Sequence, residues 1–141
     1  MRLRPASLDD ESRLLSWRND PATRKANLSQ KEIPRREYDQ WLRQILADSR
    51  KSLLIAEING KAVGTVRIDA EVDCVYLSWT IDPELRNRGL GTEMVEALSL
   101  QYNKPVKAVI RKYNTPSIRL ACHLGMHLQR VEKDLLVYFR R

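Results

Sequence analysis

The pattern of apolar and polar positions in the first part of the chain predicts a short strand followed by a helix. Met1 to Pro5 predicts a short strand. Ser7 follows as a helix N-cap, with Asp10 at the reciprocal position of a capping box, and the helix carries an apolar stripe of Leu8, Leu14 and Leu15. Asn19-Asp20-Pro21 ends this helix, because proline disfavours helical geometry in the residue before it.

A second helix and a hairpin come next. The helix begins near Pro34, a good first-turn residue, and its apolar side chains recur with the helical period at Tyr38, Trp41, Leu42 and Ile45. Two antiparallel strands follow over Ser52–Ile58 and Lys61–Ile68. The Asn59-Gly60 pair between them predicts a tight turn, because this turn needs positive φ at both central positions.

The rest of the chain alternates strands with helices. Cys74 to Ile81 predicts a strand that Asp82-Pro83 closes. The later elements are a helix from Gly91 to Tyr102 with Met94, Val95, Leu98 and Tyr102 on one side, a strand from Val106 to Arg111, a helix from Asn114 to Leu124 with Gly125 as its stop, and two strands within His127–Val131 and Leu135–Phe139. The predicted order is β-α-α-β-β-β-α-β-α-β-β.

Length and composition narrow the class of protein. We expect residues 1–141 to form one domain. No apolar run approaches the ~20 residues of a membrane span, and the charged start does not suit a secretory signal, so we expect a soluble cytoplasmic protein. Cys74 and Cys122 suit reduced core positions, since two isolated cysteines provide neither a disulfide framework nor a metal site.

The charge balance points to an anionic partner without identifying it. The chain has 25 Lys and Arg against 18 Asp and Glu, a formal net charge of +7. Nucleic acid and a phosphorylated cofactor both suit this charge. The basic residues are scattered rather than gathered in one block, which disfavours nucleic-acid binding.

A glycine-rich segment, Asp82 to Thr92, lies between a predicted strand and a helix. Such a turn directs successive backbone N–H groups at one spot, where the helix dipole favours a phosphate. Gly89 and Gly91 let the backbone approach a ligand closely, and Arg86 and Arg88 supply charge-assisted donors. The alternative is a plain strand-to-helix turn with solvated arginines.

Two well-known phosphate loops do not fit this segment. The dinucleotide fingerprint needs glycine or alanine at position 94, where this chain has Met94, and the P-loop needs Gly-Lys-Ser/Thr. The remaining pattern, Arg86-x-x-Gly89-x-Gly91, resembles the acetyl-CoA pyrophosphate loop of the GNAT N-acetyltransferase superfamily. The order of elements and a second motif, Asn114-x-x-Ser117 on a helix that closes at Gly125-Met126, are similar to that superfamily over nearly the whole chain.

The resemblance implies the GNAT fold, a mixed, mostly antiparallel twisted sheet flanked by four helices, with acetyl-CoA as cosubstrate and no metal. The backbone of Trp79 and Ile81 would pair with the pantetheine arm, and the Trp79 N–H would face the thioester oxygen. The cofactor-binding residues implied in this way are Trp79, Thr80, Ile81, Arg86, Asn87, Arg88, Gly89, Leu90, Gly91, Thr92, Asn114 and Ser117.

The catalytic groups depart from the family pattern. The tyrosine that usually protonates the thiolate is replaced by Ala121, and a glutamate common in related branches is replaced by Tyr76. The catalytic candidates are therefore Trp79, Ser78, Tyr76 and Tyr138, with Asp73 and Tyr113 as further polar groups near the thioester end. His123 suits a favourable position at a helix C-terminus rather than catalysis.

The predicted acceptor site lies in the first helices. Trp17-Arg18-Asn19-Asp20-Pro21 resembles the opening of acetyltransferases that act on nucleotide-linked amino sugars and of their ribosomal-protein N-terminal relatives. This resemblance implies Trp17, Arg18, Asn19 and Arg24 as substrate-binding residues. A small-molecule amine on an amino-sugar nucleotide is the expected acceptor. A protein N-terminus, a noncatalytic acyl-CoA-binding module and a homodimer stay open.

Overall fold

In the computed structural model, which describes residues 1–99 and 103–141, seven strands form one sheet. They are β1 (Arg2–Pro5), β2 (Lys51–Ile58), β3 (Lys61–Ala70), β4 (Val75–Ile81), β5 (Val106–Arg111), β6 (His127–Glu132) and β7 (Leu135–Arg140). Their order across the sheet is β1-β2-β3-β4-β5-β7-β6. Neighbouring strands are antiparallel except β4 and β5, which are parallel.

The helices of the described residues follow the predicted order with one addition. They are α1 (Glu11–Asn19), α2 (Pro21–Ala26), α3 (Arg35–Ala47), α4 (Leu90–Ser99) and α5 (Thr115–His123). The predicted end of the fourth helix at Tyr102 lies outside the described residues. No helix in the described part of the chain is both long and apolar enough to span a membrane.

The added helix, α2, begins at the residues that were predicted only to end α1. Asp20 follows α1 and caps α2, because its Oδ2 accepts a hydrogen bond from the Thr23 N–H at 3.0 Å. Pro21 occupies the first turn, where its missing N–H costs nothing. One short segment therefore both ends a helix and begins the next.

Each face of the sheet carries its own apolar core. Val66, Val75 and Leu98 lie in the core beneath α4 and α5, whereas Leu42 and Ile55 lie in the core beneath α1 and α3. The predicted apolar stripes of these helices are confirmed at the following buried positions: Leu14, Tyr38, Leu42, Ile45, Met94, Val95 and Leu98. Leu8, predicted to share the α1 stripe, is instead 39% exposed.

The predicted turn conformations are confirmed, whereas the predicted burial of one cysteine is not. Asn59 and Gly60 have φ values of 53° and 79°, as the Asn-Gly hairpin requires. Gly125 stops α5 with a φ of 80°. Cys74 is buried as expected, but Cys122 is exposed, so the prediction that both are core residues is wrong for Cys122.

The two parallel strands separate soon after they meet. β4 and β5 pair only through Val75 with Val106 and Tyr76 with Lys107. Beyond these pairs, β4 continues to Ile81 and β5 continues to Arg111. The sheet therefore opens at its centre, and a backbone edge of β4 faces the gap.

Candidate active site

The backbone N–H and C=O groups of successive β4 residues point alternately toward β3 and toward this gap. The Asp82 N–H donates to the Val63 carbonyl at 2.9 Å, so this antiparallel pair is hydrogen-bonded. Residues two apart share the same direction in an antiparallel ladder. The intervening Leu77, Trp79 and Ile81 therefore direct their N–H and C=O groups away from β3, toward β5.

The start of β4 fixes the same alternation independently. The Glu71 N–H donates to the Cys74 carbonyl at 2.8 Å in the turn before β4, and the Val75 N–H donates to the Pro105 carbonyl at 2.9 Å on the β5 side. Odd-numbered residues of β4 thus face β5 throughout. Past Tyr76, this edge is available to an extended ligand that pairs as an added strand would.

A cleft of about 520 Å³ lies along this edge. β4, α2, the segment from Pro83 to Leu90 and the start of α5 surround it. The cofactor-binding residues predicted from the sequence that line it are Trp79, Thr80, Ile81, Arg86, Asn87, Gly89, Leu90, Gly91, Thr92, Asn114 and Ser117. Arg88 is exposed and does not line this cleft.

The loop before α4 has the backbone shape of an anion-binding turn. Asn87 and Gly89 have φ values of 65° and 75°, and α4 begins directly afterwards at Leu90. A Cβ added at Gly89 would meet no atom within 4 Å, whereas one at Gly91 would lie 3.2 Å from the Leu120 Cδ1. Gly89 therefore serves the turn, and Gly91 serves the close packing of α4 on α5.

Arg86 lines the first cleft and also contacts α2. Its guanidinium donates to the Thr23 Oγ1 and to the Asp20 Oδ2, the latter at 3.4 Å. Burial opposes the charge of Asp20, but the Thr23 backbone N–H and Arg86 outweigh it and lower the pKa of this carboxyl. The Arg86 side chain therefore ties the loop to α2. Thr23, which is buried, was missed by the sequence analysis.

The structure brings two predicted motifs together at Trp79. The Trp79 Nε1 donates to the Ser117 Oγ at 3.1 Å, although the residues are 38 positions apart. Asn114 caps α5 by accepting from the Ser117 N–H at 3.3 Å. The cap orients α5, and α5 in turn presents Ser117 to the cleft.

A second cavity, of about 460 Å³, lies on the α1 and α3 side of the opening. It shares six residues with the first cleft: Ala26, Asn27, Trp79, Thr80, Asn114 and Ser117. The two spaces therefore meet at Trp79, the residue whose N–H is directed into the gap. This arrangement suits two ligands that approach one reacting centre from opposite faces of the sheet.

The predicted acceptor residues divide into two groups. Trp17 and Arg18 line the second cavity. Asn19 instead clamps Ile33, donating to its carbonyl at 2.8 Å and accepting from its N–H at 2.9 Å. Arg24 lies 4.0 Å from Glu32 and lines neither space. The expectation that Asn19 and Arg24 belong to the site is corrected accordingly.

Only some of the predicted catalytic residues line either space. Ser78 is exposed and lines the second cavity, next to Trp79. Tyr76 lies on the same face of β4, opposite Asp69 in the register, but lines neither space. Tyr113 lines the first cleft with 65% exposure.

Tyr138 lies in the core instead of the site. It is buried among the residues beneath α4 and α5. Burial, followed by contact with Cys122, raises the pKa of its phenol. Tyr138 is 7% exposed and lines neither space. Its expected place near the reaction centre is therefore corrected.

Arg67 is the main residue of the second cavity that sequence reasoning missed. It lies on β3 opposite Ser78 in the register. The available signal was the polar alternation of Thr65, Arg67 and Asp69 along an otherwise apolar strand. No group of three or more His, Cys, Asp or Glu side chains suited to a metal occurs in the residues described.

Residues 1–127 match the family model of the acetyltransferase (GNAT) domain. No curated protein matches this chain in sequence. Among solved structures, a domain from Methanocaldococcus jannaschii DSM 2661 is similar with a TM-score of 0.85 at 22% identity, over 99% of this chain and 96% of that one.

Two similar structures are of named enzymes. Spermidine N-acetyltransferase from Vibrio cholerae, in complex with CoA and spermine, has a TM-score of 0.83 at 12% identity, over 98% of this chain and 92% of that one. Ribosomal-protein-alanine N-acetyltransferase from Brucella melitensis has a TM-score of 0.77 at 20% identity, over 99% of each chain. At these identities the likeness shows a common fold.

Proposed function

This chain belongs to the GNAT acetyltransferase family, and we propose that it transfers the acetyl group of acetyl-CoA directly to a primary amine on an amino-sugar nucleotide. The observation that carries this proposal is the free backbone edge of β4 at Trp79 and Ile81, together with the meeting of the two spaces at Trp79. One space suits the donor and the other suits the acceptor.

The donor fits the first cleft in two parts. The amides of the pantetheine arm pair with the Trp79 and Ile81 backbone as an added strand would. The pyrophosphate lies at the left-handed turn of Asn87 and Gly89, against the N-terminus of α4. Lys25 lines the same cleft and adds positive charge. Ser117 borders the path between the two parts.

The chemistry is a direct transfer. The neutral amine nitrogen attacks the thioester carbon, the C–S bond breaks, and the nitrogen loses a proton as the thiolate of CoA gains one. The Trp79 N–H faces the carbonyl oxygen as negative charge develops there. A donor in this position contributes about 3 kcal/mol to lowering the barrier.

Proton transfer relies on water and Ser78. Ala121 has no acidic group, and Tyr76 lines neither space. Ser78 lies beside Trp79 and lines the acceptor side only, whereas Thr80 lines both spaces. We assign Ser78 the role of passing the amine proton to solvent, since a hydroxyl both accepts and donates hydrogen bonds.

The amino-sugar nucleotide is supported by the lining of the second cavity. Trp41 offers aromatic surface to a sugar ring, and Arg18 offers hydrogen bonds to a diphosphate. Trp17, 5% exposed, belongs to the buried wall behind them. The Trp17-Arg18 motif that resembles enzymes of this acceptor class therefore lies in the space that is suited to the acceptor.

A thermal shift series tests the donor half, with acetyl-CoA, CoA, NAD and ATP in parallel. A ligand bound only by the native state adds about 2.7 kcal/mol at 100 times its Kd. We expect stabilisation by acetyl-CoA and CoA alone. Thiol release in the presence of a uridine-diphosphate amino sugar, compared with an N-terminal peptide, then tests the acceptor. Turnover with the peptide alone would overturn the amino-sugar assignment.

A further inference from the structure

The second cavity is positively charged. Its lining includes Arg18 and Arg67 and, in the described part of the chain, no aspartate, glutamate, lysine or histidine. Apolar and aromatic side chains form most of the remaining wall. Arg67 also has the Asp69 carboxylate 3.2 Å from its Nε, outside this lining. Guanidinium groups in apolar surroundings favour an anion that can accept their remaining N–H donors.

Arg18 has an unused donor. Its Nη2 donates to the Ser29 carbonyl at 2.7 Å. Its Nη1 is buried and has no hydrogen-bond partner among the described residues. Burial, together with the nearby charge of Arg24, lowers the pKa of Arg18, which means that its charge is incompletely compensated. A buried donor without a partner is costly unless a ligand satisfies it.

Arg67 contacts the Trp41 ring and forms an ion pair with Asp69. Its guanidinium carbon lies 6.0 Å from the centre of the Trp41 ring. Its Nε is 3.2 Å from the Asp69 Oδ1, but neither atom makes a hydrogen bond of good geometry. Arg67 lines the cavity and pairs in the strand register with Ser78. Ser78 precedes Trp79, the proposed reacting centre.

We infer that the second cavity binds an oxyanion of the acceptor, a phosphate or a carboxylate, between Arg18 and Arg67. This inference rests on the proposed function, because it assigns that cavity to the acceptor. It adds Arg67 as a specificity-determining residue and requires an acceptor that carries a negative group close to its amine. Polyamines such as spermine are then excluded, in contrast to the spermidine enzyme of the same fold.

The test is calorimetric titration of protein saturated with CoA, so that the first cleft is occupied. The probes are inorganic pyrophosphate for a phosphate source, acetate for a carboxylate source and spermine as the opposite charge. We expect one of the anions to bind and spermine not to bind. Whichever anion binds more tightly identifies the source. Absence of binding by both anions overturns the inference.

Arginine variants then locate the site. Arg18→Gln and Arg67→Gln should each weaken the anion about tenfold or more, which is the loss expected for one charge-assisted hydrogen bond. Arg67→Lys keeps the positive charge but loses the planar guanidinium that can donate two parallel hydrogen bonds. Its affinity should therefore lie between those of Arg67→Gln and the wild type. Arg50→Gln is the matched control, since Arg50 is 77% exposed and outside both spaces. Equal affinity in all variants would contradict the assignment.

Failure of the proposed function has a separate signature. If CoA does not bind in the first titration, the donor assignment is overturned. Pyrophosphate titrated into unliganded wild type, Arg18→Gln and Arg67→Gln still reports on the second cavity. Thermal unfolding of each variant checks that the substitution leaves the fold intact.

Discussion

At the scale of single residues, some positions of the site set the backbone shape, whereas others supply packing or polar contacts. Gly89 and Gly91 look equivalent in sequence, but only Gly89 has a positive φ, and only Gly91 packs tightly against Leu120. Arg86, predicted to contact a phosphate, lines the first cleft and also contacts Asp20 and Thr23, which the sequence did not predict. Residue type and spacing predicted segments that line the first cleft without fixing what each side chain touches.

Gly89 is the residue whose substitution separates ligand binding from folding. Gly89→Ala forces an L-residue into left-handed backbone and should lower the free energy of unfolding by about 1 kcal/mol. Because Gly89 lines the first cleft, we expect a side chain there to hinder the ligand and CoA to bind about tenfold more weakly. Calorimetry with CoA and urea unfolding measure the two effects.

Gly60→Ala is the matched control for this substitution. Gly60 has a φ of 79°, close to the 75° of Gly89, and an added Cβ meets nothing within 4 Å at either position. The control should lose similar stability and bind CoA normally. Equal weakening of CoA binding in both variants would show that backbone strain, and not the cleft, causes the effect.

At the scale of elements, short polar contacts join strands and helices that the sequence predicts separately. Arg4 on β1 makes a double hydrogen bond to Asp10, at 2.9 and 2.8 Å. Asp10 also accepts from the Ser7 N–H at 2.9 Å, which completes the predicted capping box. The capping residues are local and were predicted, whereas the β1 contact needed the folded structure.

The Asp10 cluster predicts a specific loss of stability in acid. Arg4, helped by the Ser7 N–H, lowers the pKa of Asp10 below 3.8 although burial opposes it. A carboxyl with a lowered folded-state pKa stabilises the protein above its unfolded pKa, and this contribution is lost as pH falls through the folded value. Asp10→Asn should therefore cost about 2 kcal/mol at pH 7 and progressively less below pH 4.

Chemical unfolding across pH 7 to 2 measures this dependence. Asp9→Asn is the control, because Asp9 is exposed and its side chain lies outside this cluster. A difference between Asp10→Asn and wild type that stays constant down to pH 2 would contradict the assigned role of the carboxylate.

At the scale of the whole molecule, the order of elements follows from the sequence because it depends on local signals. Hydrophobic period, the Asn59-Gly60 turn and the Gly125 stop all act within a few residues. The misplaced residues depend on contacts between distant segments: Asn19 on Ile33, and Tyr138 on Cys122. α2 was missed because Asp20-Pro21 is equally able to follow one helix and begin another.

The open centre of the sheet could not be predicted from the sequence. β4 and β5 each have the composition of a fully paired strand, yet they pair only at Val75 and Tyr76. The packing of α4 and α5 on one face and α1 to α3 on the other surrounds this gap. The proposed function depends on this feature of the assembled sheet.

Amide hydrogen exchange with and without CoA tests this account most directly. The register hydrogen-bonds the Ser78 and Thr80 N–H groups to β3, whereas those of Trp79 and Ile81 face the gap. We predict that CoA slows exchange at Trp79 and Ile81 and leaves Ser78 and Thr80 nearly unchanged. No slowing at Trp79 and Ile81 with CoA bound, or equal slowing at all four, would contradict the proposed pairing of the ligand with β4.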